Sequence, residues 1–143
     1  MKRLTQIQKK SLIFFKKICM IINGKNLKGV KIMVKTHNFR ELQIWKESIA
    51  FVKSIYVLTS SMNTNEKFGL VSQMNRCAIS IPSNIAEGSG RSSEKEFARF
   101  LDIAISSSYE LETQLILVSE IYGTSTETII EQLTIIQKKI GAF

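Results

Sequence analysis

This chain of 143 residues contains one proline, one histidine, one tryptophan and two cysteines. The scarcity of proline leaves nearly all of it free to be helical, because an interior proline removes a donor and clashes with the preceding turn. Seven glycines and an abundance of Ile, Leu, Glu and Lys likewise favour helices over sheets. With His37 as its only imidazole, the chain has no Glu-x-x-His motif for a di-metal centre in a helical bundle, and the distant serines have no triad to join. Cys19 and Cys77 follow neither metal nor redox spacing and read as reduced thiols of a cytosolic protein. Long apolar runs are missing too. The one near the N-terminus breaks at Lys16-Lys17, short of the roughly 18 residues a membrane span needs. It also lacks the uninterrupted apolar core and small-residue cleavage site of a signal peptide.

Acidic residues are missing from one region only. Residues 1–35 hold ten of the twenty Lys and Arg and no Asp or Glu, a charge of +10. Residues 36–143 hold the other ten bases against all twelve acids, a charge of −2. The overall +8 therefore describes a basic leader ahead of a mildly acidic domain, and a nucleic-acid argument from total charge rests on the leader alone.

Within the leader, Lys2-Arg3, Lys9-Lys10 and Lys16-Lys17 recur seven residues apart, with Leu4, Ile7, Phe14, Ile18 and Ile21 at helical spacing between them. One reading is a basic amphipathic helix suited to an RNA backbone or an anionic membrane surface. The other is translated upstream A/T-rich sequence with the start at Met33, and composition favours it. Gly24 and Gly29 lie in a connector under both.

The remaining 36–143 is one domain with enough apolar content for a single core. Asn38-x-x-Glu41, Asn63-x-x-Glu66, Ser93-x-x-Glu96 and Thr124-x-x-Glu127 each set a capping residue three before a glutamate and ahead of a helical apolar pattern. They predict helices over about Phe39–Ser61, Asn65–Glu87, Glu94–Tyr122 and from Glu127 onward. The first carries two apolar seams. Leu42, Trp45, Ile49, Val52 and Tyr56 are assigned to the core. Ile44, Phe51, Ile55 and Leu58 are assigned either to a partner chain or to a broader core stripe. The second should kink at Pro82 and stop at Gly88 or Gly90 in a left-handed cap. The third has Phe97, Leu101, Ala104, Ser108, Leu111, Leu115 and Val118 as its core seam, and the fourth has Ile129, Leu133, Ile136, Ile140 and Phe143. Short connections make the expected fold an all-α, antiparallel up-down-up-down four-helix bundle.

Helix 2 also bears a polar stripe at residues 73, 76, 80, 84 and 87. Opposite it, the stripe Phe100, Ile103, Ser107, Glu110, Gln114, Leu117 and Ile121 turns polar in its middle. These predict a buried network in which Arg76 pairs with Glu110 while Gln73, Ser80 and Gln114 complete it. Its first reading is as a register device between helices or subunits.

Several spaced motifs carry a resemblance: Asn38-Phe39-Arg40-Glu41-Leu42 with Ile44-Trp45, Ser80 through Gly88 with Gly90-Arg91, Glu96-Phe97 with Phe100-Leu101, and Glu110 through Leu115. From about residue 36 to the C-terminus the chain resembles the four-helix-bundle proteins of the 23S rRNA intervening-sequence family. Accessory variability determinant proteins of diversity-generating retroelements are related in fold. The resemblance implies a small cytosolic bacterial bundle that assembles as a ring homo-oligomer, typically a homopentamer, with no enzymatic activity.

The residues agree on the last point. No carboxylates sit three apart on a helix, and Glu127 and Glu131, four apart, face away from the core seam. Gly88-x-Gly90 lacks the strand, third glycine and lysine of a phosphate loop. No catalytic residue, metal or cofactor is expected. Arg91, Lys95 and Arg99 form a basic cluster at the helix 2–3 corner, beside the positive end of helix 3. Repeated round a ring, they make a candidate nucleic-acid-binding rim. The expectation is a self-associating, non-enzymatic bundle that meets RNA or a nucleic-acid-processing protein, with no membrane partner. The alternative is a structural or protein-interaction module without nucleic-acid binding.

Overall fold

The structure is a computed structural model that describes residues 37–62 and 69–143. The leader, the Asn63–Glu66 box, Cys19 and the expected start of helix 2 at Asn65 lie outside the described residues. Among these, a 3-10 turn (Phe39–Glu41) precedes α1 (Gln43–Ser60), α2 (Leu70–Ser89), α3 (Glu94–Tyr122) and α4 (Glu127–Gly141), and no strand occurs. The fold is all-α.

The caps show which local signals decide the helix ends. Ser93 holds extended backbone and its Oγ accepts from the Glu96 amide at 3.2 Å, while the same hydroxyl donates to the Glu96 carboxylate at 2.9 Å. That box starts α3. Asn38 accepts from the Arg40 amide at 3.2 Å but caps only the 3-10 turn, so α1 begins at Gln43 and not at Phe39. Thr124 is not the cap of α4; Thr126 stands there, and its buried hydroxyl donates to the Leu115 carbonyl at 3.2 Å. Thr126 accepts from no amide of its own helix, and its hydroxyl ties the start of α4 to α3 instead.

The two seams of α1 exchange their expected roles. Ile44, Phe51, Ile55 and Leu58 are buried, with Ser48 between them donating to the Ile44 carbonyl at 2.7 Å. Trp45 and Val52 are half-buried, and Ile49 and Tyr56 are exposed. Spacing identifies two stripes about a quarter turn apart, yet the neighbours choose which one turns inward. The core seam of α3 behaves as expected, as does that of α4 from Leu133 to Ile140, with Leu111, Leu115, Val118 and Leu133 fully enclosed. Ile129 packs only at the core's edge, and Phe143, expected in the seam, lies past the end of α4 and is exposed, its ring 5.3 Å from that of Phe97.

The most extensive helix contact is between α2 and α3. Gly88 meets Phe97 and Phe100, Ser80 meets Ser107, and Cys77 meets Gln114. Gly88 lies inside α2 and is buried, and Gly90, the C-cap, has φ −84°, so neither makes the expected left-handed cap. Among the described residues the left-handed glycine is Gly123 at φ 63°, where α3 ends. Gly88 is required for space: a Cβ there would stand 2.7 Å from both Phe100 Cβ and Phe97 Cδ2.

Candidate nucleic-acid interface

At the α2–α3 corner Arg91 is held on two sides. Its guanidinium carbon lies 4.6 Å from the centroid of the Phe100 ring, and its NH2 group donates to the Glu87 carboxylate one turn back. Arg91 Nε is buried without a partner among the described residues. A cation stacked on an aromatic face and paired with a carboxylate is well oriented and partly neutralised. Lys95 and Arg99, on the first turns of α3, are exposed and form no ion pair among the described residues. Glu96 beside them is occupied by the hydroxyls of Ser92 and Ser93. The corner therefore presents Lys95 and Arg99 as free cations and Arg91 as a fixed one.

The same corner receives other parts of the chain. The His37 amide donates to the Ser89 carbonyl at 3.0 Å, and the His37 ring lies 5.7 Å from that of Phe97, which also meets Phe143. Glu87, Phe100, His37 and Phe143 are absent from the sequence-based site. Helical spacing connects Glu87 with Arg91 one turn on, but the others are joined only by packing.

The buried network predicted along α2 and α3 is not what forms. Gln73, Arg76 and Glu110 are exposed, and among the described residues Arg76 and Glu110 make no ion pair. Solvated charges avoid the desolvation that a buried pair must overcome, so α2 and α3 leave both at the rim. Two smaller clusters lie inside it. Ser80 and Ser107 share a hydrogen bond of 2.9 Å, and Asn84 donates to the Ser80 carbonyl and hydroxyl at 2.8 and 3.0 Å. Gln114 Nε2 donates to Glu110 at 3.2 Å and contacts Cys77 Sγ at 3.6 Å, while its buried Oε1 has no partner among the described residues. Burial, reinforced by the nearby Glu110 carboxylate, pushes the Cys77 thiol up to about 11. A thiol so protonated is not a nucleophile at neutral pH.

Among the described residues, two of the grooves on the outside are apolar-walled. One of 270 Å³, between α1 and α2, is lined by Trp45, Ile49, Val52, Ile79 and Pro82. The other, of 380 Å³, between α1 and α4, has Phe51, Ile135 and Ile136 in its wall and is bridged by the Glu47–Lys139 pair. Among the described residues no three His, Cys, Asp or Glu side chains stand close enough to hold a metal ion. No helix there is long and apolar enough to cross a membrane.

Against known families, residues 40–142 match the 23S rRNA-intervening sequence protein. The chain belongs to that family. A solved relative is the crystal structure of a protein with unknown function from the S23 ribosomal protein family of Bacteroides thetaiotaomicron VPI-5482. It is 27% identical, with a TM-score of 0.63, over 68% of this chain and 94% of that one. No curated protein matches the sequence. Membership places the α2–α3 corner within the matched residues and leaves 1–39 outside them.

Proposed function

We propose that this intervening-sequence family protein is a non-enzymatic, self-associating four-helix bundle whose copies meet RNA or a nucleoprotein through a rim of Arg91, Lys95 and Arg99. The observation that carries the reading is apolar surface left uncovered by a single copy. Ile79, Ile103 and Ile121 are 45%, 43% and 62% exposed, Ile49 and Ile79 line one groove, and Tyr56 and Leu117 are exposed as well. Exposed apolar patches on this scale mark interaction sites. We read the domain as residues 36–143, the helix order as up-down-up-down and antiparallel with a bend at Pro82, and the assembly as a ring of five. The descending series Gly88, Ser80, Cys77 against the ascending Phe97, Ser107, Gln114 supports the helix order. Ring closure repeats the three bases around one rim, which gives an acidic domain a continuous positive edge.

The test measures native mass and RNA binding together on the full chain. An assembly of several copies whose RNA affinity falls with salt is expected. Charge removal at Lys95 and Arg99 should flatten the log–log salt slope by about 1 to 2. A compact single copy at high concentration would overturn self-association, and RNA affinity indifferent to those bases would overturn the rim. The Glu87–Arg91 pair favours a second reading, a protein-interaction module without nucleic-acid binding. Absence of binding to any RNA, with the assembly intact, would establish it.

A further inference from the structure

We infer that the copies join head to tail, the α1–α2 groove of one receiving the α3 ridge Ile103–Leu117–Ile121 of the next. This inference rests on the self-association reading above and adds which faces meet. Ile49 and Ile79 of the groove and Ile103, Leu117 and Ile121 of the ridge are exposed in one copy. Their rims carry opposite charge. On α1, Lys46 and Lys53 stand three before and four after Ile49, and on α2 Arg76 stands three before Ile79, so helical spacing puts all three beside the groove. All three are exposed; Lys46 pairs with Glu41 at 3.7 Å, while Lys53 and Arg76 make no ion pair among the described residues. From Asp102 to Tyr122, α3 has Asp102, Glu110, Glu112 and Glu120 and no Lys or Arg. Glu110 lies seven residues from both Ile103 and Leu117 on the ridge itself, Asp102 and Glu120 flank it about a quarter turn away, and Arg99, four before Ile103, closes its N-terminal end.

A second copy is the occupant that the charges select. A contact of groove with groove sets cation against cation, and ridge with ridge sets acid against acid. Only groove with ridge pairs them, because like charges placed opposite one another cost several kcal/mol and suppress the wrong pairing. A contact between two different faces of one chain is heterologous, and it yields a ring where the rotation closes.

Charge reversal tests the pairing. A groove variant (Lys46→Glu with Lys53→Glu) and a ridge variant (Asp102→Lys with Glu120→Lys) alter exposed side chains, and circular dichroism checks that each stays helical. Sedimentation should show each variant dissociating at concentrations on the order of 100-fold above the wild type, as repulsion at two sites predicts. The chain carrying all four changes should assemble again, and an equimolar mixture of the two variants should associate where neither does alone. An assembled wild type whose mass survives either variant overturns the inference and leaves self-association standing. Failure of the fourfold chain to assemble overturns the pairing likewise. A wild type that is a single copy overturns this inference and the reading beneath it, leaving the groove to a different chain.

Discussion

Gly88 and Phe100 stand so close that a Cβ on the glycine would lie 2.7 Å from the phenylalanine's Cβ. The obstructing atom is next to the backbone, so a rotamer change cannot move it and the helices must part. Gly88→Ala sets a gain in helix propensity of about 1 kcal/mol against an overpacking cost of about 1–3 kcal/mol. The second should win. Urea unfolding at fixed protein concentration should show a net loss of up to about 2 kcal/mol. A Gly88→Ala chain as stable as the wild type would mean that α2 and α3 slide apart freely.

Two capping motifs of the same form should respond differently. Ser93→Ala removes an acceptor from the Glu96 amide and should cost about 1 kcal/mol. Thr124→Ala should stay within about 0.5 kcal/mol of wild type, since Thr124 is not the α4 cap. Denaturant midpoints of the two single variants separate these outcomes.

Cys77 should resist alkylation in the folded protein. In a Cys19→Ser chain, where it alone reports, modification at pH 8 should be at least about 100-fold slower than in denaturant, from its raised pKa and its burial. The sign for stability follows. Folding raises the thiol's pKa from 9.0 to about 11, so its contribution is complete below pH 9 and is lost as pH climbs through the folded value. Cys77→Ser should flatten the alkaline end of the stability curve.

The Glu47–Lys139 pair works in the opposite pH direction. Lys139 Nζ lies 2.6 and 2.7 Å from the two Glu47 oxygens, and together with Gln43 it holds that carboxyl below the usual carboxylate range. The associated stability is present above the ordinary carboxylate pKa and lost as pH falls through the lowered one. Lys139→Gln should raise the Glu47 pKa in an NMR titration. Stability should change by less than about 1 kcal/mol, because the pair is solvent-exposed.

Periodicity and caps made much of this molecule legible before folding. The number of helices, the bounds of α3, the Ser93–Glu96 box, the core seam of α3 and that of α4 from Leu133 to Ile140 depend on residues within a turn or two of one another, and linear spacing records them. Rotation of a helix about its axis is another matter. For α1, two apolar stripes satisfied the same period, and contact with α2 and α4 turned Ile44, Phe51, Ile55 and Leu58 inward, leaving Ile49 and Tyr56 exposed. Gly88 resembled a helix terminator in one dimension and is an approach point in three. Arg76 and Glu110 had the spacing of a pair, but both stay in water and form no ion pair among the described residues. Arg91 was visible as a base, whereas its Phe100 stack and its Glu87 partner were settled by packing at the corner. The sequence by itself determined which segments are helical, because helix formation is a local balance of propensity, capping and period. Tertiary structure alone decided which side chains meet, because burial competes among all four helices at once and no single helix carries the answer.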